Sequence, residues 1–298
     1  MLRSILLLAV TSLTLSAQTP ASTGTIIIAH GGDSSWNAGV REIAALVQTG
    51  GPVEVSFLMG QGAATARFQD AVAKLDAKGV SRIVVVPLLV SSHSGHYQQI
   101  RYLAGQDVTL GESMQHHLHM AGIDRAASRT PILLTPALDN SHEMARVLAD
   151  RAVALVRAQG DEPARRGLVI VGHGPNSAED YAGWMANLRP VADSVRAWSG
   201  FRDVRLELVR DDAPEAVRAE GVRRTRELIE MQQLITGRDV IVVPVLVSKG
   251  SVSRDKLPRD IAGTPSVYAG EPLLPHAAMA RWVERRVRES SATAVSAR

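Results

Sequence analysis

The residues in this chain that could do chemistry are histidines placed at the ends of apolar runs. His30 closes the run 25–29 in TIIIAHGGDSSWN (residues 25–37), and His93 and His96 follow the run 82–90 in RIVVVPLLVSSHSGHYQQI (residues 82–100). Two neutral imidazoles facing one cleft suit a borderline divalent metal such as Co, Ni, Fe or Zn. They also suit proton abstraction from a ring nitrogen, because an unperturbed histidine titrates at about pH 6.5. Gly31 and Gly32 beside His30 let backbone come close to a ligand. The alternative for each histidine taken singly is a helix-start or loop residue without a role.

These side chains need elements that bring them together. Short β-branched runs at 25–29, 53–58, 82–90 and 132–135 read as strands, and helical spacing is seen at 37–48, 64–78 and 142–158. Strands that are apolar throughout and alternate with helices imply a parallel sheet covered on both faces. In such sheets ligands bind beyond the carboxyl ends of the strands, at the switch point between the first and third. His30 and one of His93 or His96 are therefore expected to face each other there.

The pattern then repeats. LVIVGHGPNSAED (168–180) echoes residues 25–37, DVIVVPVLVSKGSVSRDKL (239–257) echoes 82–100, and HAAMARWVERRV (276–287) echoes HEMARVLADRAV (142–153). Strands are expected at 168–172, 204–209, 240–247 and 266–269. Helices are expected at 177–199, kinked or split at Pro190, at 213–236 and at 276–289. The fold class is α/β: two similar lobes, each a four-stranded parallel sheet flanked by helices, with flavodoxin-like topology. His173 repeats His30, but residues 251–253 carry serine and valine where the first copy has its second histidine. His142 and His276 are equivalent and read as helix-start residues. The lobes are expected at 25–158 and 167–289, joined by residues 159–166, with a flexible tail at 290–298.

One stretch, 105–130, has no long counterpart and carries MQHHLHM (114–120). One reading is a metal-gathering lid built on His116, His117 and His119, with Met114 and Met120 as soft ligands suited to reduced copper. The other is an exposed helix or loop that happens to hold three histidines. If helical, it puts His116 and His119 on one face.

Composition narrows the class. The chain has 298 residues, 45% hydrophobic, 21% charged and 4% aromatic, with net charge +3. Acidic and basic residues are interspersed, so no nucleic-acid footprint is present. No P-loop, dinucleotide fingerprint, G-x-S-x-G or HExxH occurs. There is no cysteine, hence no thiolate site or disulfide.

The order AHGG–Asn37, VEVSFL (53–58), then IVVVPLLV followed by Gly95-His96 and Ile100, resembles the sirohydrochlorin chelatase family of CbiX type, within the class II chelatases. The resemblance covers about 25–158, with 167–288 as a degenerate second copy, and implies a chelatase-like fold in a duplicated long form. It implies a metallochelatase, a lyase that inserts cobalt or another divalent metal into a tetrapyrrole, as in cobalamin biosynthesis. Neither ATP nor an organic cofactor is required, and metal and macrocycle are the partners. By position His30 and His96 match the two catalytic, metal-binding histidines, with His93 one spacing off as the reserve ligand. Two positions depart from the family pattern, which has acidic residues where this chain has Met59 and Gln99. That departure motivates an alternative: an exported metal- or tetrapyrrole-binding protein without turnover.

The start of the chain reads as an export signal. Arg3 precedes an apolar run at 5–15, and small residues follow at 16–17. The run is shorter than the roughly 20 residues a spanning helix needs. A signal peptide at 1–17, a linker at 18–24 and a periplasmic location are expected, with no stable membrane insertion once the leader is cleaved. N-terminal sequencing of protein from a periplasmic extract is expected to begin at Gln18; a start at Met1 would contradict cleavage.

Overall fold

The computed structural model describes residues 22–107 and 109–296. The expected signal peptide lies outside the described residues. The first half runs β1 (Thr23–Ala29), α1 (Ser34–Leu46), β2 (Val53–Phe57), α2 (Gly60–Ala63), α3 (Phe68–Ala77), β3 (Arg82–Leu88), α4 (Gly95–Leu103), α5 (Glu112–Met120), β4 (Ile132–Leu134) and α6 (His142–Ala158). The second runs β5 (Gly167–Gly172), α7 (Ala178–Ser199), β6 (Asp203–Leu208), α8 (Glu215–Thr236), β7 (Val240–Val245), α9 (Leu257–Asp260), β8 (Ser266–Tyr268) and α10 (Ala277–Ser296), with a π-helical turn at Val252–Lys256. Each half forms a four-stranded sheet, ordered β2-β1-β3-β4 and β6-β5-β7-β8, parallel throughout. This is the α/β architecture expected from the alternating apolar runs. Among the described residues no helix is long and apolar enough to cross a membrane.

Alternation along the strands divides the core. Ile27, Ala29, Val84, Val86 and Leu88 of the first sheet share one apolar cluster with Leu168, Ile170, Ile241, Val243 and Val245 of the second. The opposite side of the first sheet, with Ile26, Ile28, Ile83 and Val85, is covered by residues from α3, α4 and α5. The opposite side of the second packs Val169, Val171, Val240 and Val242 against α8 and α9. Period-two side-chain direction thus explains why every residue of these runs is apolar: both faces are buried.

The two halves exchange their last helices. α6 packs on β7 and α7, whereas α10 packs on β3 and α1, and the two helices touch each other. Arg285 of α10 holds the buried Glu143 of α6 through Nη2 at 2.7 Å. Residues 159–166 divide the sequence repeat, but the packing crosses that boundary in both directions.

Several local expectations are revised. The helix expected at 64–78 begins only at Phe68, as α3, and the separate short α2 precedes it, because the chain between them serves the edge strand β2: Phe57 N–H donates to the Ala66 carbonyl at 3.0 Å, and Arg67 is extended. α7 is unbroken through Pro190, which lies on its exposed face, where the carbonyl freed one turn earlier can meet water. β1 begins at Thr23, inside the expected linker. α10 runs on past the expected helix end at residue 289, to Ser296.

Because the two sheets share one core, the molecule is expected to unfold as a unit. Met279→Ala in α10, fully buried in that core, should cost about 2–5 kcal/mol. Circular dichroism and tryptophan fluorescence should report one coincident urea transition; two separated transitions would contradict a shared core.

Candidate functional site

The registers bring the chemistry to one edge. Ala29 pairs with both Phe57 and Leu88, so β1, β2 and β3 end level and His30 stands just beyond them. Gly172 pairs with Leu208 and Val245 in the same way, which places His173 at the matching edge of the second sheet. Gly31 makes the turn after His30 at φ +91°, and a Cβ there would lie 2.2 Å from the Met59 carbonyl, so only glycine fits. Asn37 of α1 clasps this loop: its Oδ1 accepts from Gly32 N–H and its Nδ2 donates to the Gly32 carbonyl, both at 3.0 Å.

His96 sits in the first turn of α4, whose start is capped by Ser94 accepting from Tyr97 N–H at 3.2 Å. His30 and His96 meet edge to face, with ring centroids 4.6 Å apart and planes at 83°. Trp36 lies edge-on to His30 at 6.3 Å.

Hydrogen bonds fix which ring nitrogen is free. His30 Nδ1 is 2.6 Å from the Gly31 carbonyl, an acceptor only, so Nδ1 carries the proton and Nε2 the lone pair. His96 Nδ1 is 2.9 Å from Gln99 Oε1. Gln99 is buried, and its Nε2 donates to the Met114 carbonyl at 2.8 Å, which turns Oε1 toward His96. His96 is therefore also protonated at Nδ1 and open at Nε2. Burial, and next the charge of His96, push His30 down to about 4. Burial likewise lowers His96, against the opposing hydrogen bond to Gln99. Both rings are neutral near neutral pH, which is the state a metal ligand requires.

Across the cleft the second lobe presents a different pair. His173 Nδ1 is 2.7 Å from the Gly174 carbonyl, the same arrangement as His30. Its Nε2, however, is 3.1 Å from Asp212 Oδ2 and 3.9 Å from Asp211 Oδ2. Burial opposes the charged ring, but the hydrogen bond to Asp212, the Gly174 carbonyl and the two carboxylate charges together raise His173 above its ordinary value. The charges of His173 and Asp212 act on both His30 and His96, so both lobes face one space. Arg254 bridges its rim to Asp33 at 2.7 Å, and Trp36 closes against Gly250.

The other expected ligands divide. The imidazole of His93 lies against Gly183 of α7, and its carbonyl accepts from Trp184 Nε1 at 2.6 Å, so this residue joins the lobes. The insertion is α5, anchored by the buried Leu118 and tied to α4 through Gln99. His116, His117 and His119 are exposed, and the one that acts on His96 is His117, outside the expected His116–His119 pair. His117 lines a cavity of about 360 Å³ with Met59 and Met120, whereas Met114 packs on Gly95. His142 starts α6, and His276 caps α10, its Nδ1 accepting from Ala278 N–H at 3.2 Å.

Residues 24–155 match the CbiX family model. Over that stretch, a little under half of its length, the chain is similar to the CbiX family. SirB from Bacillus subtilis with Fe3+ superposes with a TM-score of 0.62 at 16% identity, covering 92% of this chain and 98% of that one. SirB from Bacillus subtilis subspecies spizizenii in complex with cobalt gives 0.58 at 16% identity, covering 90% and 95%. CbiX, described as the terminal enzyme for biosynthesis of siroheme in denitrifying bacteria, gives 0.52 at 14% identity, covering 90% and 99%. At such identities the likeness speaks for the fold, and it spans both lobes. A comparison with curated proteins finds no match.

Beyond the matched segment, sequence reading missed Asp211 and Asp212. A signal was present: in the repeat they follow β6 as Met59 follows β2. Met59 N–H donates to the His30 carbonyl at 2.9 Å, and Asp211 N–H donates to the His173 carbonyl at 3.2 Å. Arg210, at φ +53°, is an extra residue that shifts the register by one and puts a carboxylate where the first lobe has a thioether.

The histidines should titrate in a set order. By NMR, His30 is expected to protonate at about pH 4 and His173 above the ordinary histidine value. The unfolded chain takes up a proton at position 30 at about pH 6.5, while the folded chain waits until about 4. This residue's contribution to stability therefore falls as pH drops through that interval. An ordinary titration of His30 would contradict the burial described.

Proposed function

We propose that the protein is a metallochelatase that inserts a divalent metal, cobalt foremost, into a tetrapyrrole of the sirohydrochlorin type without ATP. The observation that carries this reading is the His30–His96 pair: rings 4.6 Å apart, each with Nδ1 committed to a fixed acceptor and Nε2 left as a ligand. The CbiX match over residues 24–155 supports it, as do the structural relatives, SirB with Fe3+ and SirB in complex with cobalt.

In this reading His30 and His96 hold the incoming cation as neutral donors while the macrocycle lies in the cleft between the lobes. Borderline metals suit two imidazoles, and the desolvated rings release the ion readily because their basicity is depressed. The overall reaction exchanges two pyrrole protons for one divalent cation, so it needs no redox partner. Gln99 takes on the orienting task of the acidic residue that the family pattern has there: as a fixed acceptor it sets the His96 tautomer without adding charge. Export to the periplasm is proposed on the leader sequence alone.

Purified protein incubated with sirohydrochlorin and Co²⁺ is expected to raise the rate of absorbance change above the spontaneous reaction. His30→Ala and His96→Ala should each reduce it by roughly 10²-fold or more. Tight Co²⁺ binding without catalysed insertion would support a carrier instead, and no binding of Co²⁺, Ni²⁺ or Zn²⁺ would overturn both readings.

A further inference from the structure

Metal insertion leaves two protons to be placed, and the first lobe is badly suited to take them. Its two imidazoles are occupied as ligands, and burial makes them weak bases. The opposite wall of the cleft has a different composition. His173 ends β5 as His30 ends β1, with Nδ1 held by the Gly174 carbonyl, so its Nε2 is the exchangeable position. Nε2 is 3.1 Å from Asp212 Oδ2. The two carboxylates of this loop are not equivalent. Asp211 is almost fully buried and is neutralised by Lys256 and by Arg218 Nε at 3.1 Å. Asp212 keeps 62% of its side chain exposed, and its charge reaches both His30 and His96. The loop is braced by Arg210 Nε, which donates to the Pro175 carbonyl at 3.0 Å.

We propose that Asp212 and His173 are the proton acceptor of the insertion reaction, with Asp212 taking each pyrrole proton and passing it to Nε2 of His173. This inference rests on the chelatase reading above. In each cycle of the relay a pyrrole N–H bond breaks, an O–H bond forms on Asp212 and is exchanged for N–H on His173, and Asp212 returns to carboxylate. The imidazolium then loses its proton to water at the cleft mouth before the second transfer. Metal–nitrogen bonds to the macrocycle replace those to His30 and His96, and no electron changes hands.

Charge around the pair supports the direction of transfer. His173 is faced by Asp212 and Asp211 from the loop after β6 and by His30 and His96 from the first lobe. Lys256 and Arg218 lie behind Asp211. The carboxylates outweigh burial, so His173 is the most basic of the three imidazoles in the cleft. A general base works best with its pKa close to the working pH. His173 must be neutral to accept, so the rate should rise with pH through its raised value. Losing the Asp212 carboxylate should move that limb to lower pH.

The test uses the full protein with sirohydrochlorin and Co²⁺, and separately Co²⁺ alone by calorimetry. Asp212→Asn and His173→Gln are each expected to lower kcat by roughly 10²-fold, with the affinity for Co²⁺ alone unchanged. The double variant should be little worse than either single one, and Asp212→Glu should recover part of the rate. Unchanged Co²⁺ binding also establishes that the variants are folded. In Asp212→Asn the acidic limb of the pH–rate profile should move to lower pH. Wild-type kcat in both single variants would overturn the relay while leaving the chelatase reading intact. Parallel loss of Co²⁺ affinity and kcat would make the pair a metal ligand and also overturn it. A wild-type protein that binds Co²⁺ yet catalyses no insertion would sink the chelatase reading, and the relay with it.

Discussion

The apolar layer between the two sheets is the constraint on which the site depends. Each sheet turns one face of its strands toward the other, and α1, α6, α7 and α10 fill the space between with side chains such as Val40, Val147, Leu188 and Trp282. The last helix of each repeat crosses to the other half, so neither half completes its packing alone. Burying both faces of both sheets fixes where the strands end, and the strand ends carry the histidines. The cleft is thus a by-product of how two parallel sheets dock.

Duplication supplied the same backbone twice, and small changes made the two copies chemically opposite. Both copies keep a histidine after the first strand with Nδ1 tied to the next glycine carbonyl. In the first copy the neighbour is a second imidazole, and the pair is neutral and desolvated. In the second, the extra residue Arg210 brings two carboxylates to the histidine, and the turn at Val252–Lys256 brings Lys256 to one of them. One wall therefore presents two neutral imidazoles and the other an imidazole paired with a carboxylate. The acidic group missing at Met59 is present in the protein, on the other side of the cleft.

Much of this was legible from local pattern. The apolar runs ending in His-Gly identified the parallel strands and left His93 and His96 as alternatives, and the resemblance to the CbiX-type pattern favoured His96. His93 shows the limit of spacing as a guide. It lies three residues from His96, yet its ring packs against Gly183 of α7, because the loop after β3 serves the lobe contact as well as the cleft. In the insertion, helical periodicity paired His116 with His119. The face turned toward the site belongs to His117, because the helix is oriented by Leu118 and by the bond from Gln99 to the Met114 carbonyl.

By itself the sequence determined the strands, the repeat, and the placing of His30 opposite one of His93 or His96 beyond neighbouring strands. Those features follow from side-chain period and backbone sterics acting over a few residues. Tertiary structure alone decided the helix exchange, the tautomer of His96 set through Gln99 and Met114, and the meeting of His173 and Asp212 with the first-lobe histidines. These depend on contacts between segments far apart in the chain, where burial and charge are set by what docks opposite, and no local pattern encodes that.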